Sequence, residues 1–287
     1  MEINLDKIKE RSIEKLLDFS ILNIDKPAGL TSFQTAEKVG IILGAKKISH
    51  FGTLDPMVTG VLPVAINRAC KLSGYFIKKD KTYIGKMHLH SEVEEDKLKN
   101  EVDKFIGKIK QKPPVKSRVK RVEREREVYE FEILNMNGKD AEFKVKCEAG
   151  TYVRKLIFDL GLKIGGAHMT GLRRISAGIF SENDEEFVNL EDLEKAFLKY
   201  KNGDENNLRK LLIPAEEAVK KIMPFAQLQV NERELKQILT GKPIFKNQLR
   251  EIPQEKIFAV FSGKRFIEIA RKSEEGDIIA RPEFVFN

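Results

Sequence analysis

Cysteine is scarce: Cys70 and Cys147 are the two in 287 residues, too few and too far apart for a disulfide framework or a CxxC metal site. No apolar run approaches a membrane span, and the opening MEINLDKIKERSIEKLLDF breaks every apolar stretch with charge where a secretory leader needs an unbroken core. A cytoplasmic protein away from membranes is the expectation. Four histidines, His50, His88, His90 and His168, lack a neighbouring acid or cysteine cluster, so no metal is expected, although "HLH" at 88–90 leaves a metal-dependent hydrolase as an outside reading. The chain shows neither an internal repeat nor a low-complexity tract. What it does have is an ordinary globular balance, 41% apolar and 33% charged residues, and length enough for one large domain plus a small one. Its 52 Lys+Arg against 44 Asp+Glu leave a net charge of +8, which favours a polyanionic partner through neutralised phosphates and released counterions.

The pattern along the chain predicts an α+β fold. Residues 1–19 read as a polar arm with a short amphipathic turn. "SILNIDKPAGLTS" gives a strand, a turn, and Thr31 or Ser32 as cap of a helix whose apolar side is Phe33, Ala36, Val39 and Leu43, ending at Gly44. "GVLPVAIN" and "TYIGKMHLH" read as strands, 94–107 as an amphipathic helix, the segment turning at Asn137-Gly138 as a hairpin, and "TYVRKLIFDLGLKIGG" as a helix starting at Thr151. Two or more helices follow between Phe187 and Val219. Pro224 marks a change to one helix and short strands, a small β-rich domain.

Four features bear on chemistry. Asp55 stands alone in "HFGTLDPMVTGVLP", where an acid before proline reads as a helix N-cap, while the flanking glycines leave room for a bulky ligand at the carboxylate. Arg154 falls in the first turn of the helix expected from Thr151, where a cation opposes the helix dipole and asks for an anionic partner. An ordinary surface arginine is the alternative. Tyr83 sits in the apolar register of its strand, as a core aromatic does. "KPPVKSRVKRVERER", Lys112 to Arg126, is basic without periodicity: either a solvated face or a ribbon that tracks a phosphate backbone through Lys116, Lys120 and Arg121.

Six segments in order, "DKPAGLTS" (25–32), "HFGTLDPMVTGVLP" (50–63), "KTYIGKMHLH" (81–90), "KPPVKSRVKR" (112–121), "EAGTYVRKLI" (148–157) and "GAHMTGLRR" (166–174), resemble the pseudouridine synthases of the TruB type over roughly residues 12–180. The resemblance implies a catalytic domain (20–222) built on a mixed, largely antiparallel sheet flanked by helices, a PUA-type RNA-binding domain (223–287), and an N-terminal arm (1–19) packed on the latter. It implies isomerisation of uridine to pseudouridine in tRNA or rRNA, without a cofactor, after the target base leaves its stack. In such a protein Asp55 is the nucleophile, Tyr83 stacks on the flipped base and is a candidate acceptor of the C5 proton, Arg154 holds Asp55 ionised and aimed, Leu172 closes the pocket, and His50 helps receive the nucleotide. "RSIEKLLDFSILNIDKPAG", "MHLH" and "AGTYVRKLIFDLGLKIGGAHM" resemble the dyskerin-like catalytic subunits of box H/ACA ribonucleoproteins, which implies a guide RNA and accessory proteins as partners. A non-catalytic RNA-binding scaffold of the same fold is the alternative from another class.

Overall fold

The computed structural model describes residues 11–112 and 122–286; the expected phosphate contacts Lys116, Lys120 and Arg121 lie outside them. The chain divides into two compact units, Ile21–Leu211, and the described part of Met1–Ser20 together with Leu212–Asn287. The division at 211/212 moves residues 212–222, expected in the catalytic domain, into the unit that holds the C-terminus.

The described chain opens with helix α1 (Ile13–Asp18), which belongs to the smaller unit. In the larger unit, β1 (Ser20–Lys26) leads through a turn to α2 (Ser32–Leu43). Thr31 is the cap: its side chain accepts from the Gln34 amide while Gln34 reaches back, and Gly44 ends the helix in the left-handed region at φ 64°. Ala36, Val39 and Leu43 are buried as the spacing predicts, but Phe33 is 59% exposed. The buried stripe runs instead through Ser32, Thr35 and Gly40, small residues that let the helix approach its neighbours.

Strands β2 (Ile48–His50) and β3 (Thr59–Ile66) follow, then α3 (Ser73–Phe76) and β4 (Lys81–Leu89). Helix α4 (Glu95–Asp103) is shorter than the expected 94–107. Phe105 and Ile106 turn back on Val102 and Asp103, and Gly107, at φ 96°, starts β5 (Gly107–Gln111). The long hairpin of β6 (Arg124–Asn137) and β7 (Asp140–Cys147) turns where expected, with Gly138 at φ 59°. Helix α5 (Val153–Ile164) begins two residues later than Thr151. Tyr152 is held extended because the buried Gln111 amide bonds both its N–H (3.0 Å) and its carbonyl (3.3 Å). Strands β8 (Ala167–Ala177), β9 (Phe180–Ser181) and β10 (Phe187–Val188) and helices α6 (Leu190–Lys201) and α7 (Asn206–Leu211) complete the unit.

The sheet runs β10-β1-β3-β8-β4-β7-β6-β5, with β2 added to β3 and β9 to β8. It is mixed and largely antiparallel: β1 with β10 and β3 with β8 are the parallel pairs. Alternation on β4 sends Tyr83, Met87 and Leu89 into an apolar cluster with Val145 of β7 and with Val153, Leu156, Ile157 and Leu160 of α5. That cluster is the floor on which the site is built.

The smaller unit adds β11 (Ile213–Pro214), α8 (Ala215–Ile222), β12 (Phe225–Gln227), α9 (Glu232–Leu239), β13 (Ile244–Phe245), β14 (Ile257–Ser262), β15 (Arg265–Glu275) and β16 (Ile278–Val285). Its five-stranded sheet runs β12-β14-β15-β16-β13, the β-rich unit the sequence predicts. Ile13 and Leu16 of α1 are buried, Phe19 lies 4.0 Å from the ring of Phe286, and Arg11 pairs with Glu216 at 2.5 Å. Within β15, Glu268 is fully buried with neither carboxyl oxygen hydrogen-bonded among the described residues, and burial pushes its pKa up to about 8.

Candidate active site

Asp55 does not cap a helix. The chain from Phe51 to Val58 is irregular, and the Asp55 carbonyl accepts from the Val58 amide at 3.0 Å in a tight turn. The residues on either side explain why this loop holds one shape. Leu54 and Val58 are buried in the same apolar cluster as Tyr83, so the turn is pinned at both ends while the acid between them faces outward. Ser32, the first residue of α2 and almost fully buried, grips Leu54 twice: its hydroxyl accepts from the Leu54 amide (2.7 Å) and bonds the Leu54 carbonyl (3.1 Å). On the far side the buried Lys26 ammonium spends its three protons on the carbonyls of Pro27 (2.8 Å), Pro56 (3.0 Å) and Val58 (2.8 Å). An ammonium out of water is costly unless each proton is bonded, so Lys26 fixes β1 and the loop together or not at all.

The outward carboxylate meets Arg154, whose guanidinium donates to Asp55 Oδ2 at 2.5 Å. Arg154 is the second residue of α5, whose buried residues seat the helix while Gln111 fixes its entry. Both partners are about half exposed, 58% and 52% by side chain. A pair so wetted adds little to stability; its geometry fixes the direction of the Asp55 carboxylate.

Below it lies Tyr83, 8% exposed, with burial pushing its phenol above the usual value and Arg174 opposing that rise. Leu172 faces Gly85 across β4 and β8 and packs on the same apolar cluster. Gly85 has no room for a side chain: a Cβ there would stand 2.3 Å from Phe143 Cζ and 2.9 Å from Leu172 Cδ1. His50 ends β2, with a buried Nδ1 that has no hydrogen-bond partner among the described residues. Burial, and then the charge of Arg174, lower its pKa, so the ring is neutral near pH 7.

Asp55 and Arg154 thus touch, and Tyr83 and Leu172 share the cluster that anchors the Asp55 loop. His88 and His168 stand on the opposite side of β4 from Tyr83, on the alternate register. His88 bonds Asp140 (2.8 Å) and His90 bonds His168 (3.0 Å). Among the described residues no group of three or more His, Cys, Asp or Glu is set to hold a metal ion, and no helix is long and apolar enough to cross a membrane.

Sequence reading missed Ser32, Lys26, Gln111 and Arg174 as parts of this site. Ser32 had been weighed as a cap only. For Lys26 the signal was present: a lysine ending an otherwise apolar strand has to find partners.

Comparison with known proteins bears on the fold and the family. Residues 41–153 match the TruB family pseudouridylate synthase N-terminal domain and residues 154–220 the tRNA pseudouridylate synthase B C-terminal domain. A probable tRNA pseudouridine synthase B of Korarchaeum cryptofilum is 46% identical over 215 residues, 74% of this chain and 66% of that protein. That of Nanoarchaeum equitans is 46% identical over 212 residues, 73% of this chain and 60% of its own length. The chain thus spans under two thirds of the length of these relatives. A Cbf5–Nop10–Gar1 complex superposes with TM-score 0.88 at 35% identity, covering 97% of this chain and 88% of that one. A chain of an H/ACA ribonucleoprotein bound to a substrate RNA containing 2′-deoxyuridine gives 0.86 at 33%, covering 97% and 89%.

The mixed sheet with its clamped acid-bearing loop is therefore the pseudouridine synthase fold. The chain belongs to the TruB family of pseudouridylate synthases.

Proposed function

We propose that this protein isomerises uridine to pseudouridine in RNA, with Asp55 as the nucleophile. The observation that carries the reading is the Asp55–Arg154 pair: an acid aimed outward and bonded by a helix-borne arginine, on a loop clamped on both sides by Ser32 and Lys26. In the reaction the N1–C1′ bond breaks, the C5–C1′ bond forms, and the proton on C5 is replaced by one on N1. Product and substrate are isomers, so no oxidant or group donor is needed. Asp55 serves either by attack on the sugar or through an elimination path, and in both Arg154 orients its carboxylate. Tyr83 and Leu172 present an apolar floor on which a flipped uracil stacks, and the phenolic oxygen is the candidate proton acceptor at C5. Unstacking the uridine costs a few kcal/mol, which contacts to the rest of the RNA must offset. The net charge of +8 supports that role.

The substrate class is tRNA, by the names of the relatives, or a guided RNA target, by the H/ACA assemblies of the structural neighbours. We place this chain as a catalytic subunit of such a ribonucleoprotein, with small accessory proteins as partners, a PUA-type role for the β-rich unit, and a cytoplasmic setting. Tritium release from 5-tritiated uridine in tRNA transcripts tests it, first with the protein alone, then with an H/ACA guide RNA and accessory proteins. Release only with the guide supports the ribonucleoprotein assignment. Release by the protein alone refutes an obligatory guide. No release in either arm leaves the non-catalytic scaffold.

A further inference from the structure

Arg174 is the largest fully buried side chain among the described residues, 1% exposed. A buried guanidinium ordinarily sits against a carboxylate, yet among the described residues none bonds it. Its Nε donates to the Val61 carbonyl (2.7 Å) and one terminal nitrogen donates to the Gly52 carbonyl (3.1 Å), while its cross-strand partner on β4 is Tyr83, whose phenol feels the guanidinium charge. Close backbone approach creates the seat. Gly60 of β3, at φ 99°, lies so near that a Cβ there would stand 2.2 Å from the Arg174 carbonyl oxygen, and a Cβ at Gly52 would stand 3.4 Å from a guanidinium nitrogen.

We propose that Arg174 is the positioning residue of this site: its guanidinium, bonded to the Gly52 carbonyl and set beside its cross-strand partner Tyr83, holds the tyrosine in fixed register with the loop that carries Asp55. This rests on the functional reading above. Its two acceptors and its cross-strand neighbour come from β3, the Asp55 loop and β4, the elements that must keep one spacing for a base stacked on Tyr83 to meet Asp55. Arg174 and Tyr83 are both buried, so the guanidinium charge acts on the phenol with little screening by solvent. The charges around it are Lys26 on β1, His50 on β2 and Lys81 on β4, with Asp55 acting on Tyr83 from the loop. With Lys81 brought down to about 8 by burial and His50 neutral, Arg174 is the fixed positive charge beside the phenol.

A double-mutant cycle separates this role from mere packing. Arg174→Lys keeps a charge but loses the fork, so kcat on tritiated RNA should fall about ten- to hundredfold with KM near unchanged. In the Tyr83→Phe background the same change should cost less than about twofold. Equal loss in both backgrounds would mean that Arg174 acts on the fold alone, and would overturn the proposal. A second readout needs no activity: label the five tyrosines with 3-fluorotyrosine, assign Tyr83 by its loss in Tyr83→Phe, and follow its ¹⁹F titration. Arg174→Lys and Arg174→Met should move that titration upward, the latter by about one pH unit or more. An unmoved titration overturns the contact whether or not the protein proves to be a synthase, whereas an inactive wild type with the expected ¹⁹F shift sinks only the functional reading.

Discussion

Replacing Ser32 with alanine removes one hydroxyl that serves both backbone groups of Leu54, at 2.7 and 3.1 Å. The Leu54 amide then has no partner in a buried position, and neither the apolar cluster around Leu54 nor the start of α2 can supply one. Leaving such a donor unsatisfied costs about 1–3 kcal/mol, against the roughly 1 kcal/mol typical of point substitutions. Thr31, not Ser32, caps α2, so the helix itself should persist. The effect is therefore local, on the residue that directly precedes Asp55. Hydrogen–deuterium exchange read by mass spectrometry should show residues 51–58 exchanging about five- to a hundredfold faster, as that free energy implies, while peptides from β6 and β7 stay as protected as in the wild type. Pseudouridine formation should fall with RNA affinity near unchanged, because the acid is misaimed rather than lost. Unaltered exchange in 51–58 would refute the clamp, and with it the explanation of how this loop keeps one shape.

Gly60→Ala should be among the most damaging single changes, costing about 2–4 kcal/mol, since it combines a left-handed φ with a Cβ 2.2 Å from a backbone oxygen; thermal melting by circular dichroism checks it. Arg154→Lys should leave stability within about 1 kcal/mol, the pair being half exposed, yet lower kcat more than about tenfold, which parallel melts and rate assays resolve. Glu268 sets a pH dependence. Its pKa rises from 4.5 to about 8 on folding, so between those values the folded state holds the extra proton and stability falls as pH rises, by up to about 1.4 kcal/mol per pH unit. Urea unfolding at pH 5 to 8 should show that slope reduced in Glu268→Gln; identical slopes would remove the role assigned to burial.

Local rules made much of this molecule readable. The Gly44 helix end, the Asn137-Gly138 hairpin and the inward register of Tyr83 follow from turn chemistry and period-2 alternation. The expectations that failed were decided by partners distant in sequence. Asp55 before Pro56 satisfies the local rule for a cap, yet Ser32 and Lys26, 22 and 30 residues from the loop atoms they bond, hold the chain in a turn instead. Thr151 satisfies the local rule for a helix start, yet Gln111, 41 residues from Tyr152, keeps Tyr152 extended. Phe33 was assigned to the apolar face of α2 by periodicity, but that face is a surface for close approach, lined by Ser32 and Gly40. Arg174 in "GLRR" carried no local sign that it would be the buried one, while Arg173 beside it faces Asp25 and Glu182.

The central claim is that the Asp55 carboxylate performs the isomerisation. Asp55→Asn keeps the shape of the side chain and removes its charge, and because the pair with Arg154 is half exposed the fold should survive. Tritium release from 5-tritiated uridine in RNA, measured for both proteins under the conditions in which the wild type is active, should drop to background in the variant while RNA binding persists. Release by Asp55→Asn at a rate comparable to wild type would contradict the account.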